Sequence, residues 1–391
     1  MQKPQPPRRW IPCTEQRGER HGTHGWPEGR TVLVMAERSP FSLSLLPSLR
    51  HKLRPNTQWQ LFLISHSPEL RPALRVGLGL GIPGTALLLT ERSDLLAYAV
   101  FGSVVGMYGR DPRRLQRLKD QLLGAALMLC AGICGIAVAP LGLHGWTLLA
   151  GGIFWAVLSS VVADHHGVKP GGAFFPLFAF GALGTLPVGE TIAIDGLIAF
   201  VATALFSILL GQMARFGPAA EHGIKTLPIP WPNIGRRAAT YLVVILVAGS
   251  IGIFLHAEHL QWTMAGAAVP LAAGNARGRI KRGAHRIAGT LAGIAVLLGL
   301  QLLEPSELVI GCCIILLMFP TEAYMVRNYG LALSFFTPLI ILMLQLANPV
   351  IGIQMVWDCA MGNLLGVIVG IIVAAIIERR PRLQYSSGVV G

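Results

Sequence analysis

The chain has 391 residues, of which 53% are hydrophobic and 13% charged, with 46 glycines and a mean hydropathy of +0.57. A soluble domain carries about 25% charged residues, so this composition cannot clothe a water-facing surface of such size, and an ordinary soluble enzyme is excluded. The net charge of +13 does not call for nucleic acid, because membrane proteins gather Lys and Arg in their cytoplasmic loops.

Residues 1–70 are rich in Arg, Pro, Gly and His and hold no long apolar run. They read as a basic, disordered tail. Arg8-Arg9 leads into no hydrophobic stretch, so no cleavable signal is expected, and Met35 offers an alternative start.

From residue 71 to 377 one apolar run follows another. A crossing helix needs about 20 residues. The first six expected spans are 72–90, 94–109, 120–140, 144–163, 170–187 and 191–214. The second six are 237–255, 261–275, 286–303, 307–320, 328–347 and 350–377. With twelve spans, one side collects Arg110, Arg113, Arg114, Arg117 and Lys119, then Arg215, Lys225, Arg236 and Arg237, then Arg277, Arg279, Lys281, Arg282 and Arg286. The opposite side holds Arg92 as its lone basic residue, with Glu91, Asp94, Glu190, Glu258, Glu304 and Glu307. That asymmetry predicts an all-α, multi-pass protein of the cell membrane with both termini in the cytoplasm.

The halves resemble each other. Arg71 falls on Arg236, Gly109 on Gly274, Gly124 on Gly289, Gly167 on Gly330 and Asp195 on Asp358. Residues 71–215 and 236–378 are therefore expected to be two six-helix repeats of one orientation, joined by a cytoplasmic linker at 216–235 and followed by a tail at 379–391.

Five of the six cysteines (Cys130, Cys134, Cys312, Cys313, Cys359) lie in apolar runs, and no CxxC occurs. Neither a disulfide framework nor a zinc site is expected. No Walker A sequence, nucleophile elbow or HExxH is present, so no ATPase or hydrolase chemistry and no cofactor is expected. His256, Glu258 and His259 share a predicted outer loop without a further evident ligand, and no metal is expected there.

An acid inside a span is costly and marks a proton or substrate path, which makes Asp358 and Asp195 the proton-coupling candidates; the alternative is a carboxylate satisfied near the outer interface. Arg286 and His285 stand where a basic loop enters the ninth span. A guanidinium binds a carboxylate two-pronged, although Arg at a cytoplasmic helix end also serves orientation. Glu322 and Arg327 share a short inner loop and either pair or leave Arg327 facing a vestibule. Arg282 and Thr290 flank this region. Trp262 and Trp357 are candidates for stacking on an aromatic substrate, against the ordinary use of Trp at the bilayer interface. Glycines such as Gly77, Gly79, Gly81 and Gly84 serve either close helix packing or broken-helix binding.

The stretch His285-Arg286-Ile287-Ala288-Gly289-Thr290-Leu291-Ala292-Gly293 resembles the R-x-x-G-T-x-x-G signature of the fusaric acid resistance family, the aromatic acid exporter superfamily. Arg327-Asn328-Tyr329-Gly330 leading to Phe335-Phe336-Thr337-Pro338 is similar to it as well, as is Asp164 followed by Gly167 and Pro170-Gly171-Gly172-Ala173-Phe174-Phe175. The first half departs, with Gln121 at the place of Arg286 and Ala125 at that of Thr290. The resemblance implies an integral membrane exporter of aromatic carboxylates, without the large cytoplasmic domains of longer members. The expected function is proton-driven efflux of small organic anions. The expected partners are the anion and the bilayer, with no nucleic acid, and the pattern is compatible with a homo-oligomer. The alternatives are a passive anion channel of the same fold, a major facilitator transporter (Gly106 to Arg114 resembles its loop motif) and a non-transporting envelope scaffold.

Overall fold

A computed structural model describes residues 70–111, 113–141, 145–186, 190–213, 229–348 and 353–379. The N-terminal tail, the linker residues 214–228 with Arg215 and Lys225, and the tail from 380 onward lie outside the described residues.

Among the described residues the fold is all helical. The first half contains α1 (Leu70–Leu89), α2 (Leu96–Val104), α3 (Arg114–Val138), α4 (Trp146–His166), α5 (Phe174–Gly184) and α6 (Glu190–Met213). The second contains α7 (Trp231–Phe254), α8 (Leu260–Leu271), α9 (Ala276–Gln301), α10 (Glu307–Met325), α11 (Tyr329–Ala347) and α12 (Ile353–Arg379). Each expected span falls on one of these helices. Nine of them are long and apolar enough to cross a membrane.

The other three depart from expectation. Helix α2 has 9 residues, with a 3-10 turn at each end, α5 has 11 and α8 has 12. At about 1.5 Å per residue α5 and α8 cover about half of a hydrocarbon core of about 30 Å, and the continuous helical segment Ser93–Met107 covers about three-quarters of it. The reason is burial. All residues of α2 and α8 are buried, and so is most of α5. These helices face protein, so their length answers to their neighbours rather than to lipid. Helix α11 is the most buried of the long ones.

Local sequence explains the boundaries. Gly167 closes α4 in a left-handed conformation (φ 67°) that a side chain would strain. Asn275 caps α9 by accepting from the Gly278 N–H at 2.7 Å, and Asn328 caps α11 by accepting from Leu331 at 3.1 Å. Gly172 (φ 101°) turns the chain into α5, where a Cβ would stand 3.1 Å from the Tyr241 hydroxyl.

Helix pairing recurs between the halves. Helix α2 packs along α6 and α8 along α12; α3 packs along α5 and α9 along α11; α1 packs along α10 and α4 along α7. Small residues permit the closest approaches. A Cβ on Gly366 would lie 2.2 Å from the Thr263 carbonyl, and one on Gly370 2.7 Å from that of Ala267. Gly289 and Gly293 of the signature stretch press on α11 in the same way, against Gly330 and Thr337.

Candidate functional site: a cationic funnel

The ends of α2, α4, α5, α7, α8, α9, α10 and α11 that carry the basic loops surround a cavity of about 980 Å³. Its wall includes the cations Arg110, Lys169, Arg237 and Arg282 and the acids Asp164 and Glu322. Both acids are engaged. Asp164 pairs with Arg237 at 2.9 Å, and the fully buried Glu322 pairs with Arg110. Glu322 stands on α10, which continues to Met325, rather than in the expected loop, and Arg327 beyond it is exposed. Arg282 lies over the Tyr329 ring at 4.8 Å.

The cavity narrows into a chamber of about 50 Å³ lined by Phe174, Phe175, Ala268, Arg286, Leu333 and Phe336 among others. Residues Pro170, Gly171, Phe175, Ala272, Arg282, Met325 and Tyr329 belong to both walls. Together they form a funnel with a wide mouth that carries charged side chains and a narrow aromatic throat.

Arg286 stands at its end, 2% exposed. Its Nε donates to the Asn363 amide oxygen at 2.7 Å, and its guanidinium lies 4.9 Å from the centre of the Phe174 ring. Among the described residues no carboxylate pairs with it. A buried cation without a counter-ion costs several kcal/mol unless something supplies the opposite charge. Phe174 stacks on Phe178 (5.7 Å, 3° between planes), and Phe178 meets Trp262 at 5.0 Å. Trp262 is thus part of the aromatic wall behind the throat, buried on α8.

The remaining candidates separate from this site. His285 is buried with its Cβ 3.6 Å from the position of a Gly330 side chain, so it faces α11. Thr290 is buried one turn beyond Arg286. Trp357 is 60% exposed on the outer surface of the bundle. Gln121, at the place of Arg286 in the first half, is buried and accepts from Gln212 Nε2 at 2.8 Å, a neutral pair.

The two intramembrane acids lie elsewhere and differ from each other. Asp195 is half exposed and bonds Arg92 at 2.9 Å; Arg92 also reaches Asp94. Asp358 is buried and accepts from Gln354 Nε2 at 3.1 Å, while its second oxygen lies 2.7 Å from His259 Nδ1. The donor atoms of Glu258, His259 and Asp358 lie within 4.8 Å of one another. His259 and Asp358 use that imidazole nitrogen and carboxylate oxygen on each other, and Glu258 beside them is exposed.

Sequence reading missed three things: the Asn363 partner of Arg286, the Arg110 partner of Glu322, and the pairing of His259 with Asp358. One signal was available. Gly362, Gly366 and Gly370 repeat every fourth residue, and Ala199, Thr203 and Ser207 follow the same spacing on α6.

Long apolar helices around buried short ones, opening on a charged funnel, define a multi-pass helical membrane protein. Residues 240–381 match the family described as fusaric acid resistance protein-like, so this segment of the chain is similar to that family. No curated protein and no solved structure matches the chain.

Proposed function

We propose that the protein is a plasma-membrane transporter that moves small organic anions, aromatic carboxylates first, out of the cell. The carrying observation is Arg286, a buried guanidinium at the end of a funnel with no carboxylate partner among the described residues. An entering carboxylate supplies the missing charge, and the Phe174–Phe336 throat offers flat apolar surface to a ring. Arg282 and Lys169 at the mouth attract the anion. The narrow throat suits a carrier with one side closed better than an open channel. The protein acts without catalytic chemistry.

The recurring helix pairs and the two small-residue stripes support a two-repeat design of twelve crossings, with α2, α5 and α8 as shortened spans and both termini cytoplasmic. The funnel then faces the cytoplasm. Between the two acids, Asp358 is the coupling group, because it is buried, whereas Asp195 is half exposed and neutralised by Arg92.

The test is uptake of labelled hydroxybenzoate into proteoliposomes, with and without a pH gradient. Gradient-dependent uptake that Arg286→Ala abolishes is the expected result. Uptake indifferent to the gradient makes the protein a passive channel, and no uptake across a panel of organic anions removes the transport reading.

A further inference from the structure

The outer ends of the two halves are tied at corresponding places by different chemistry. Helix α6 is held to the start of α2 by Asp195 and Arg92 at 2.9 Å. Helix α12 is held to the start of α8 by Asp358 and His259 at 2.7 Å, and His259 is the residue that opens α8. An arginine keeps its charge at every physiological pH. Histidine is the side chain whose charge ordinarily changes between about pH 5 and 8.

We infer that His259 and Asp358 form a proton-operated tie that keeps the outer end of the α8–α12 pair closed, while Arg92 and Asp195 form a permanent one. With the imidazole protonated the two side chains are an ion pair. With it neutral the attraction between two opposite charges is lost, and a hydrogen bond from the neutral ring to the carboxylate remains. Proton loss thus loosens the second half alone, and opening toward the outside is a motion of α8 and α12. This rests on the transport reading and adds to it His259, a positioning residue acting through Asp358.

The neighbours of the pair leave little else to titrate. Helix α12 contributes Asp358 and the neutral Gln354, and the loop before α8 contributes Glu258 and His256. The last turns of α5, α7 and α9 and the first turn of α4, the other elements packed on α8 and α12, hold no ionisable side chain. Beneath the tie lies Cys359, fully buried next to Asp358. It is a native reporter of opening.

The experiment labels the full chain in nanodiscs with a membrane-impermeant maleimide and reads the Cys359 peptide by mass spectrometry. Labelling of the wild type is divided by that of His259→Arg at each pH, which cancels the thiol's own pH response. The ratio should rise from near one at pH 5 to about tenfold at pH 8, the effect of about 1.4 kcal/mol. A flat ratio overturns the proposal. His259→Gln provides the second comparison: its labelling should exceed wild type at pH 5 and converge with it at pH 8, and equal labelling at both overturns it too. Every arm is run with and without EDTA, and a pH response that appears only without EDTA means a bound cation and also overturns it. No transported solute is needed, so failure here is distinct from failure of the uptake test.

Discussion

The Arg286 guanidinium donates from Nε to the amide oxygen of Asn363 at 2.7 Å, and the Asn363 amide nitrogen donates to the Cys359 carbonyl at 2.7 Å. Helices α9 and α12 are thereby joined at the end of the funnel by a buried cation with a neutral partner. Orientation of the guanidinium is provided, while its charge remains available to an anion.

That arrangement predicts the effect of Asn363→Asp. The new carboxylate would pair with Arg286 in the interior and compete with any entering anion. Organic anion uptake should fall at least about tenfold, with the variant still monodisperse on size exclusion. Unchanged uptake would remove Arg286 from the path.

Phe174 gives a selectivity prediction. Its ring lies beside the Arg286 guanidinium and stacks on Phe178. Phe174→Ala should weaken aromatic carboxylates by about 1 kcal/mol, roughly fivefold, and leave aliphatic ones nearly unaffected. Competition of each class against labelled hydroxybenzoate measures the ratio. An equal loss for both classes would mean that the ring only shapes the throat.

The two ion pairs at the mouth should differ in worth. The Glu322 side chain has no exposure, whereas the Arg237 partner of Asp164 is 36% exposed. Glu322→Ala removes the buried carboxylate that faces both Arg110 and the buried Arg75 and should cost about 3 kcal/mol. Asp164→Ala should cost about 1 kcal/mol or less, because solvent screens its partner. Unfolding in detergent compares them, and equal losses would contradict the burial argument.

Close packing of the signature stretch gives a fourth outcome. A Cβ on Gly289 would stand 2.4 Å from the Gly330 carbonyl oxygen and 2.6 Å from Leu333 Cβ, both on α11. Gly289→Ala must push α9 away and should destabilise by about 2 kcal/mol. Gly235 meets nothing within 4 Å, and Gly235→Ala on α7 should stabilise by about 0.5 kcal/mol. Thermal melting of the two variants should shift in opposite directions.

The helices were legible in the residue order because hydropathy is a local property: a run such as 191–214 announces a helix without reference to anything else. Lengths were less legible. Residues 261–275 are as apolar as a crossing segment, yet α8 ends at Leu271, since neighbouring helices rather than lipid surround it. Arg286 and Arg282 were identifiable as candidates from charge and position. His285, on the same stretch, turns toward α11, because one residue of helix rotates a side chain by about 100°.

Composition and pattern alone were enough to specify a helical membrane chain, the places of its helices and the basic loops, for each depends on residues within one or two turns. Pairing belongs to the folded chain. Asn363 lies 77 positions from Arg286, Glu322 lies 212 from Arg110 and Asp358 lies 99 from His259. No local pattern encodes such partners, and their choice follows from which small-residue stripes let two helices approach. Asp195 and Asp358, alike in the residue order, became a half-exposed salt bridge and a buried histidine pair for that reason.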